Sequence, residues 1–192
     1  MKKVLLGFVF ASLLLAAPVA RAQDAASATI EYSEQVPADD QGRDALYRRA
    51  LDWTENHFAY GPTTELKFDP ATGSVRVTGT GKVKPVTPAG KEQVQVVRFT
   101  FTFRATDTGY TYSVSSFKMV PDPKKPDEVV QMADYLTQLS LEKASSRTFN
   151  ERRVTAQANA LASEVAMSFR SYMNSIPAGA EGTVGLPATD KD

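Results

Sequence analysis

Residues 93–105, QVQVVRFTFTFRA, decide the fold. Val97, Phe99, Phe101 and Phe103 alternate with Arg98, Thr100, Thr102 and Arg104. A strict period of two marks a strand with one face in a core and the other in solvent. Val94 and Val96 are out of phase with that run, so a bulge or an exit from the sheet is expected near them. Downstream, Asp107-Thr108-Gly109 supplies a hairpin turn. Tyr110, Tyr112 and Val114 then alternate with Thr111, Ser113 and Ser115, and the phase slips at Phe117 and Met119.

Upstream the same period continues. Val75, Val77, Gly79, Gly81 and Val83 share one face, against Arg76, Thr78, Thr80, Lys82 and Lys84 on the other. Two glycines inside a strand predict a sharp bend or a helix packed close to the backbone. Leu66 and Phe68 alternate with Glu65, Lys67 and Asp69, and residues 69–73 (DPATG) have turn chemistry, with Gly73 placed for a positive φ. Residues 85–92 read as a loop. A further strand is expected over Thr29–Val36, broken by residues 37–42.

Helical periodicity takes over in two regions. Residues 43–58 place Tyr47, Ala50, Leu51, Thr54 and Phe58 on one stripe, with Leu46 and Trp53 flanking. Asp39 or Asp40 is the expected cap, and Gly61-Pro62 closes the element. After the stiff connector PDPKKP (121–126), Asp127 is expected to cap a helix running to about Lys143. Its expected buried side carries Val129, Met132, Ala133, Leu136 and Leu139. Thr148 and Glu151 have capping-box spacing and should open a long helix reaching about Ile176. Its stripe is Val154, Ala158, Leu161, Val165, Phe169, Tyr172 and Ile176.

The order β-α-β-β-β-β-α-α, with strands of one apolar and one polar face, predicts an α+β fold. Its sheet should be curved and mainly antiparallel, with helices on one face only. A single domain is expected over residues 28–176, and the Gly/Pro-rich residues 177–192 read as a disordered tail.

Residues 1–22, MKKVLLGFVFASLLLAAPVARA, read as a signal peptide. Lys2 and Lys3 precede an apolar run, and Ala20-Arg21-Ala22 offers small-x-small cleavage between Ala22 and Gln23. The run is too short for a membrane span. The expected destination is the periplasm or the exterior, with no transmembrane segment left in the mature chain. Lys2, Lys3 and Arg21 leave with the leader, so 22 basic residues become 19 against 22 acidic, about −3. That balance argues against a general nucleic-acid or membrane-surface binder. There is no cysteine, which excludes a lipoprotein anchor, a thiol nucleophile and thiolate metal sites.

Three segments together resemble one family: DALYRRALDWTENHF (44–58), FDPATGSVRVTGTGKV (68–83) and RFTFTFRATDTGYTYSVSSF (98–117). The helix with Leu46-Tyr47 and Ala50-x-x-Trp53, the Gly79-x-Gly81 strand and the hairpin around Asp107-x-Gly109-Tyr110-x-Tyr112 are similar to the DUF4468 family of secreted bacterial domains of unknown function. The resemblance covers about residues 30–120. It implies a TBP-like fold and export, and brings no activity, cofactor or site residues. The helix at 127–143 would be an addition to the family's core.

Chemistry-bearing patterns are sparse. His57 is the one histidine, which excludes a multi-histidine metal site, and it reads as a partly exposed structural residue. Asp39-Asp40 and Asp122/Asp127 lie in turn or cap contexts, without the tight alternation of a Ca²⁺ loop. Gly79-x-Gly81 lies inside a strand and cannot serve as a phosphate loop. No cofactor or metal is expected. The surviving constellation is the outward sheet face, with Arg76, Lys82, Lys84, Arg98 and Arg104 among threonines and serines. Such a face suits an anionic ligand or an acidic envelope protein. It also suits plain solubility. The leading expectation is a non-catalytic binding module. The alternatives are an envelope hydrolase using fold-assembled carboxylates and a structural subunit that self-associates through strand edges.

Overall fold

The aromatic strand lies at the centre of a six-stranded antiparallel sheet in a computed structural model that describes residues 29–175. The strands are β1 (Tyr32–Pro37), β2 (Thr64–Asp69), β3 (Ser74–Val83), β4 (Gln95–Thr106), β5 (Gly109–Val120) and β6 (Val130–Gln131). They run in the order β1-β5-β4-β3-β2, with β6 pairing β5 beyond the end of β1. The helices are α1 (Arg43–Asp52), α2 (Met132–Leu141), the single turn α3 (Ser145–Thr148) and α4 (Asn150–Asn174). The expected leader at 1–22 and tail at 177–192, with Ile176, lie outside the described residues.

Alternation sets which face is which. Val75 and Val77 of β3, Val97, Phe99, Phe101 and Phe103 of β4, and Tyr110, Tyr112 and Val114 of β5 are all buried under α1 and α4. Their neighbours Arg76, Thr102, Arg104, Thr111 and Ser113 face outward. All three longer helices pack on the inner face, as expected of an α+β fold with one apolar sheet surface. The close approach predicted from the strand glycines is present. A Cβ at Gly79 would lie 2.7 Å from the ring tips of Phe58 and Phe99, and one at Gly81 would collide with Leu161 of α4.

Several expectations need correction. Gly42, at φ 69°, occupies the cap position before α1, and no side chain caps the helix, so neither Asp39 nor Asp40 does so. The helix continues as a π-helical turn, Trp53–His57, which rotates Trp53 into the core while Leu51 and Phe58 become only half-buried. Asp127 caps nothing. Val129 and Val130 favour extended backbone, Val130–Gln131 pair with β5 instead, and α2 starts four residues later than expected, with Gln131 at the cap position. The Thr148–Glu151 capping box does not form. The Thr148 hydroxyl donates to the Ala144 carbonyl, and Phe149 enters α4 in the left-handed region at φ 49°.

The phase slip at Phe117 has a single cause. Ser116 takes φ 57° and inserts an extra residue between the pairs Arg98–Lys118 and Thr100–Ser115. Val94 is exposed and lies just before β4, so the strand leaves the sheet there.

Candidate functional site

The outward sheet face is built by register, and the register decides which cations meet. Arg76 of β3 is opposite Thr102 of β4 and, on its other side, Lys67 of β2. Arg98 of β4 is opposite Thr80 of β3 and Lys118 of β5. Arg104 lies between Ser74 and Thr111. The floor between these cations is hydroxyl, and Thr102 and Ser113 bond to each other at 2.7 Å.

Two concavities occupy this face. One, of about 640 Å³, contains Arg76 and Arg104 over Thr102 and Ser113, with Glu31 and Glu34 of the β1 side also in its lining. The other, of about 370 Å³, contains Arg76, Arg98 and Lys118 over Thr78 and Thr100, with Glu65 at its rim. Arg76 is shared by both. The four ion pairs among the described residues include none of these cations.

The structure therefore brings Arg76, Arg98 and Arg104 together on one surface. It leaves Lys82 exposed and apart, beyond the end of β2 and lining neither concavity. Lys84 is not on the face at all. It follows β3, its backbone N–H donates to the Gln157 side chain of α4, and its ammonium lies 3.9 Å from Glu92. Sequence reasoning missed Lys67 and Lys118. The first was visible as an alternating polar residue, but its cross-strand neighbour needs the register. The second is turned outward by the Ser116 bulge.

A second polar cluster lies on the helix side. Arg49 of α1 donates to the Tyr172 carbonyl at 2.8 Å and also to the Ser175 carbonyl, so it supplies partners for the end of α4. The Tyr172 hydroxyl donates to Asp52, the His57 ring lies tilted against Tyr172 at 4.7 Å, and His57 Nε2 is 3.8 Å from Asp52. These groups line a cavity of about 1090 Å³, in which Asp52 is the one carboxylate among the described residues. The π-helical turn places His57 against Tyr172, a neighbour that the chain order did not disclose. Nearer β1, Glu34 accepts from the Tyr112 hydroxyl at 2.5 Å and pairs with Arg170, tying α4 to the edge strand.

The Asp52 clasp gives a pH-dependent expectation. The hydrogen bond from Tyr172, then that from Asn56, holds the Asp52 carboxyl below its ordinary range. A depressed carboxylate contributes stability that is present above its unfolded pKa, near 4, and is lost as pH falls through the lower folded value. Tyr172→Phe should lower the unfolding free energy at pH 7 by about 0.5–1 kcal/mol, discounted for the clasp's exposure. Thermal melts should show that gap closing as pH falls below about 4. A gap that stayed constant over that range would show that the bond to Asp52 is not its origin.

No cluster of three or more metal-ligating side chains occurs among the described residues, and no helix of the described chain is long and apolar enough to cross a membrane.

Residues 32–119 match the family described as a domain of unknown function (DUF4468) with TBP-like fold. Among solved structures, a TBP-like protein from Parabacteroides distasonis ATCC 8503 is similar at 14% identity and a TM-score of 0.48, covering 74% of this chain and 93% of its own. A DUF4468 family protein from Bacteroides ovatus ATCC 8483 is similar at 15% identity and a TM-score of 0.46, covering 73% of this chain and 86% of its own. No curated protein matches this chain. From its first strand to the far side of its aromatic hairpin, over residues 32–119, the chain is similar to the DUF4468 family and its TBP-like fold.

Proposed function

We propose that this chain is an exported, non-catalytic binding module of the cell envelope that holds an anionic partner on its open sheet face. The observation that carries the reading is the set of outward cations Arg76, Arg98, Arg104 and Lys118. They gather on one hydroxyl floor, on the sheet face opposite the helices, without a carboxylate within ion-pair distance among the described residues. Export is supported by the leader pattern of residues 1–22. The net charge of about −3 expected after cleavage makes the basic face a local feature, which favours a defined partner over general polyanion attraction.

The edge strand β2 weighs against self-association through strand pairing. Glu65, at φ 59°, bulges it, Lys67 puts a charge on it and Pro70 follows it, three devices that blunt an edge. The hydrolase alternative needs two free carboxylates in one cleft. The helix-side cavity has Asp52 as its one acid among the described residues, and of the two acids lining the first sheet-face concavity, Glu34 is already held by Tyr112 and Arg170.

The test is capture from the organism's own envelope fraction by the wild-type protein and by Arg98→Glu/Arg104→Glu. The double variant should lose its captured partner. Its melting temperature should stay within about 2 °C, because outward substitutions rarely move stability by more than about 0.5 kcal/mol. Undiminished capture by the folded variant would overturn the reading.

A further inference from the structure

The register puts like charges directly opposite each other twice on the outward face. Lys67 is the cross-strand partner of Arg76, and Arg98 is the cross-strand partner of Lys118. Opposed like charges are destabilising in an antiparallel pair. Neither pair has a carboxylate within 4 Å among the described residues to offset the repulsion. Single unpaired cations are ordinary on a solvated strand face. Two opposed pairs on one face, each beside or within a concavity, form an arrangement that an arriving anion would relieve.

Resting on the binding reading above, we infer that the two pairs are linked subsites for carboxylates of one acidic polypeptide segment. Each subsite combines a guanidinium, which takes a carboxylate in bidentate fashion, with a flexible ammonium that adds a point charge. The separation follows from the lattice of the sheet. The pairs are two strands apart and four residues apart along the strands, about 16 Å on the diagonal. A helix crosses that distance in about eleven residues and an extended chain in about five. A polypeptide with recurring Glu or Asp can therefore reach both pairs. The chemistry of the floor narrows the partner class. The residues between the pairs are Thr78, Thr100 and Thr102, of which the half-buried Thr78 and Thr102 can hydrogen-bond a peptide backbone, while Thr100 is buried. No aromatic ring stands among them, so stacking of bases has no support here.

The experiment uses the purified full chain and defined acidic probes, with calorimetric titration at low and moderate salt. A twenty-residue poly-L-glutamate should bind at least a hundredfold more tightly than tri-glutamate, which is too short to bridge the pairs. Lys118→Glu and Lys67→Glu, made separately, should each bring the long probe down to nearly the affinity of the short one. In the absence of probe, Lys118→Glu should raise the melting temperature by about a degree or two, because it turns a repelling pair into an attracting one. That rise also certifies the fold of the variant. Equal binding of long and short probes, or affinity unchanged in both variants, would overturn the linked subsites. Tight binding of heparin or polyphosphate with none of polyglutamate would overturn the polypeptide partner and leave the sheet-face reading standing. Only insensitivity of envelope capture to Arg98→Glu/Arg104→Glu would remove that reading itself.

Discussion

Phe169→Ala is expected to lower the unfolding free energy by about 3–5 kcal/mol, the usual cost of deleting a buried aromatic ring. Phe169 is fully buried on α4 and stands at the centre of the aromatic cluster. Its ring lies 5.0 Å from Trp53, 4.9 Å from Phe101, 5.6 Å from Phe103 and 5.0 Å from Tyr112. These neighbours come from α1's π-helical extension and from two strands, so one residue joins the helix layer to the sheet. Rigid strands on one side and a helix on the other leave little room for the cavity to collapse, which places the cost toward the upper end. Domains of this size have about 5–15 kcal/mol in total, so the variant should unfold at much lower urea, followed by circular dichroism. A loss below about 1 kcal/mol would mean that the rings repack around the gap.

The second large effect is expected at Asn150. Its side chain is almost fully buried and completes Val86 on both sides, donating to the Val86 carbonyl at 2.8 Å and accepting from the Val86 N–H at 2.8 Å. The amide thus acts as a short substitute for a neighbouring strand, and it fastens the loop after β3 to the start of α4. Asn150→Ala leaves both Val86 groups without their partner, which should cost about 2 kcal/mol, since water can reach the half-buried loop and offset part of the loss. Asn150→Asp keeps the acceptor but sets a carboxylate oxygen against the Val86 carbonyl in a buried site, and should cost at least as much. Hydrogen exchange at the Val86 amide distinguishes this mechanism from a general loss of helix stability. It should speed up in Asn150→Ala while the amides of β4 follow only the global change.

Much of this architecture was legible because its signals are local. The alternation of Phe99, Phe101 and Phe103, the turn at 107–109 and the paired glycines of β3 each report a contact made within a few residues or a face set by period alone. The errors cluster where a local signal competes with a distant partner. Asp127 looks like a cap, yet Val130 pairs with Met119 and holds the chain extended past it. Thr148 and Glu151 have the spacing of a capping box, but the Thr148 hydroxyl is already engaged with Ala144.

The candidate site divides in the same way. Arg76, Arg98 and Arg104 were placed outward by period alone. Lys118 was not, because its side depends on one left-handed serine whose effect on phase was seen at Phe117 but not carried through to the cations. The opposition of Lys67 to Arg76 is a matter of register between strands, and a single chain read in order does not disclose register. Lys84 failed for the opposite reason: the alternation was extended one residue beyond the strand, where the backbone turns toward Gln157.

The one-sided sheet has a consequence for how such a domain can change. Along β3, β4 and β5, the inward residues are answerable to the core around Trp53 and Phe169, and most of the outward ones chiefly to whatever arrives from outside. Substitutions of the second kind need not disturb the first, so the contact surface can be rewritten while the fold is kept. The strand that declares the architecture in its phenylalanines leaves the choice of partner to its threonines and arginines.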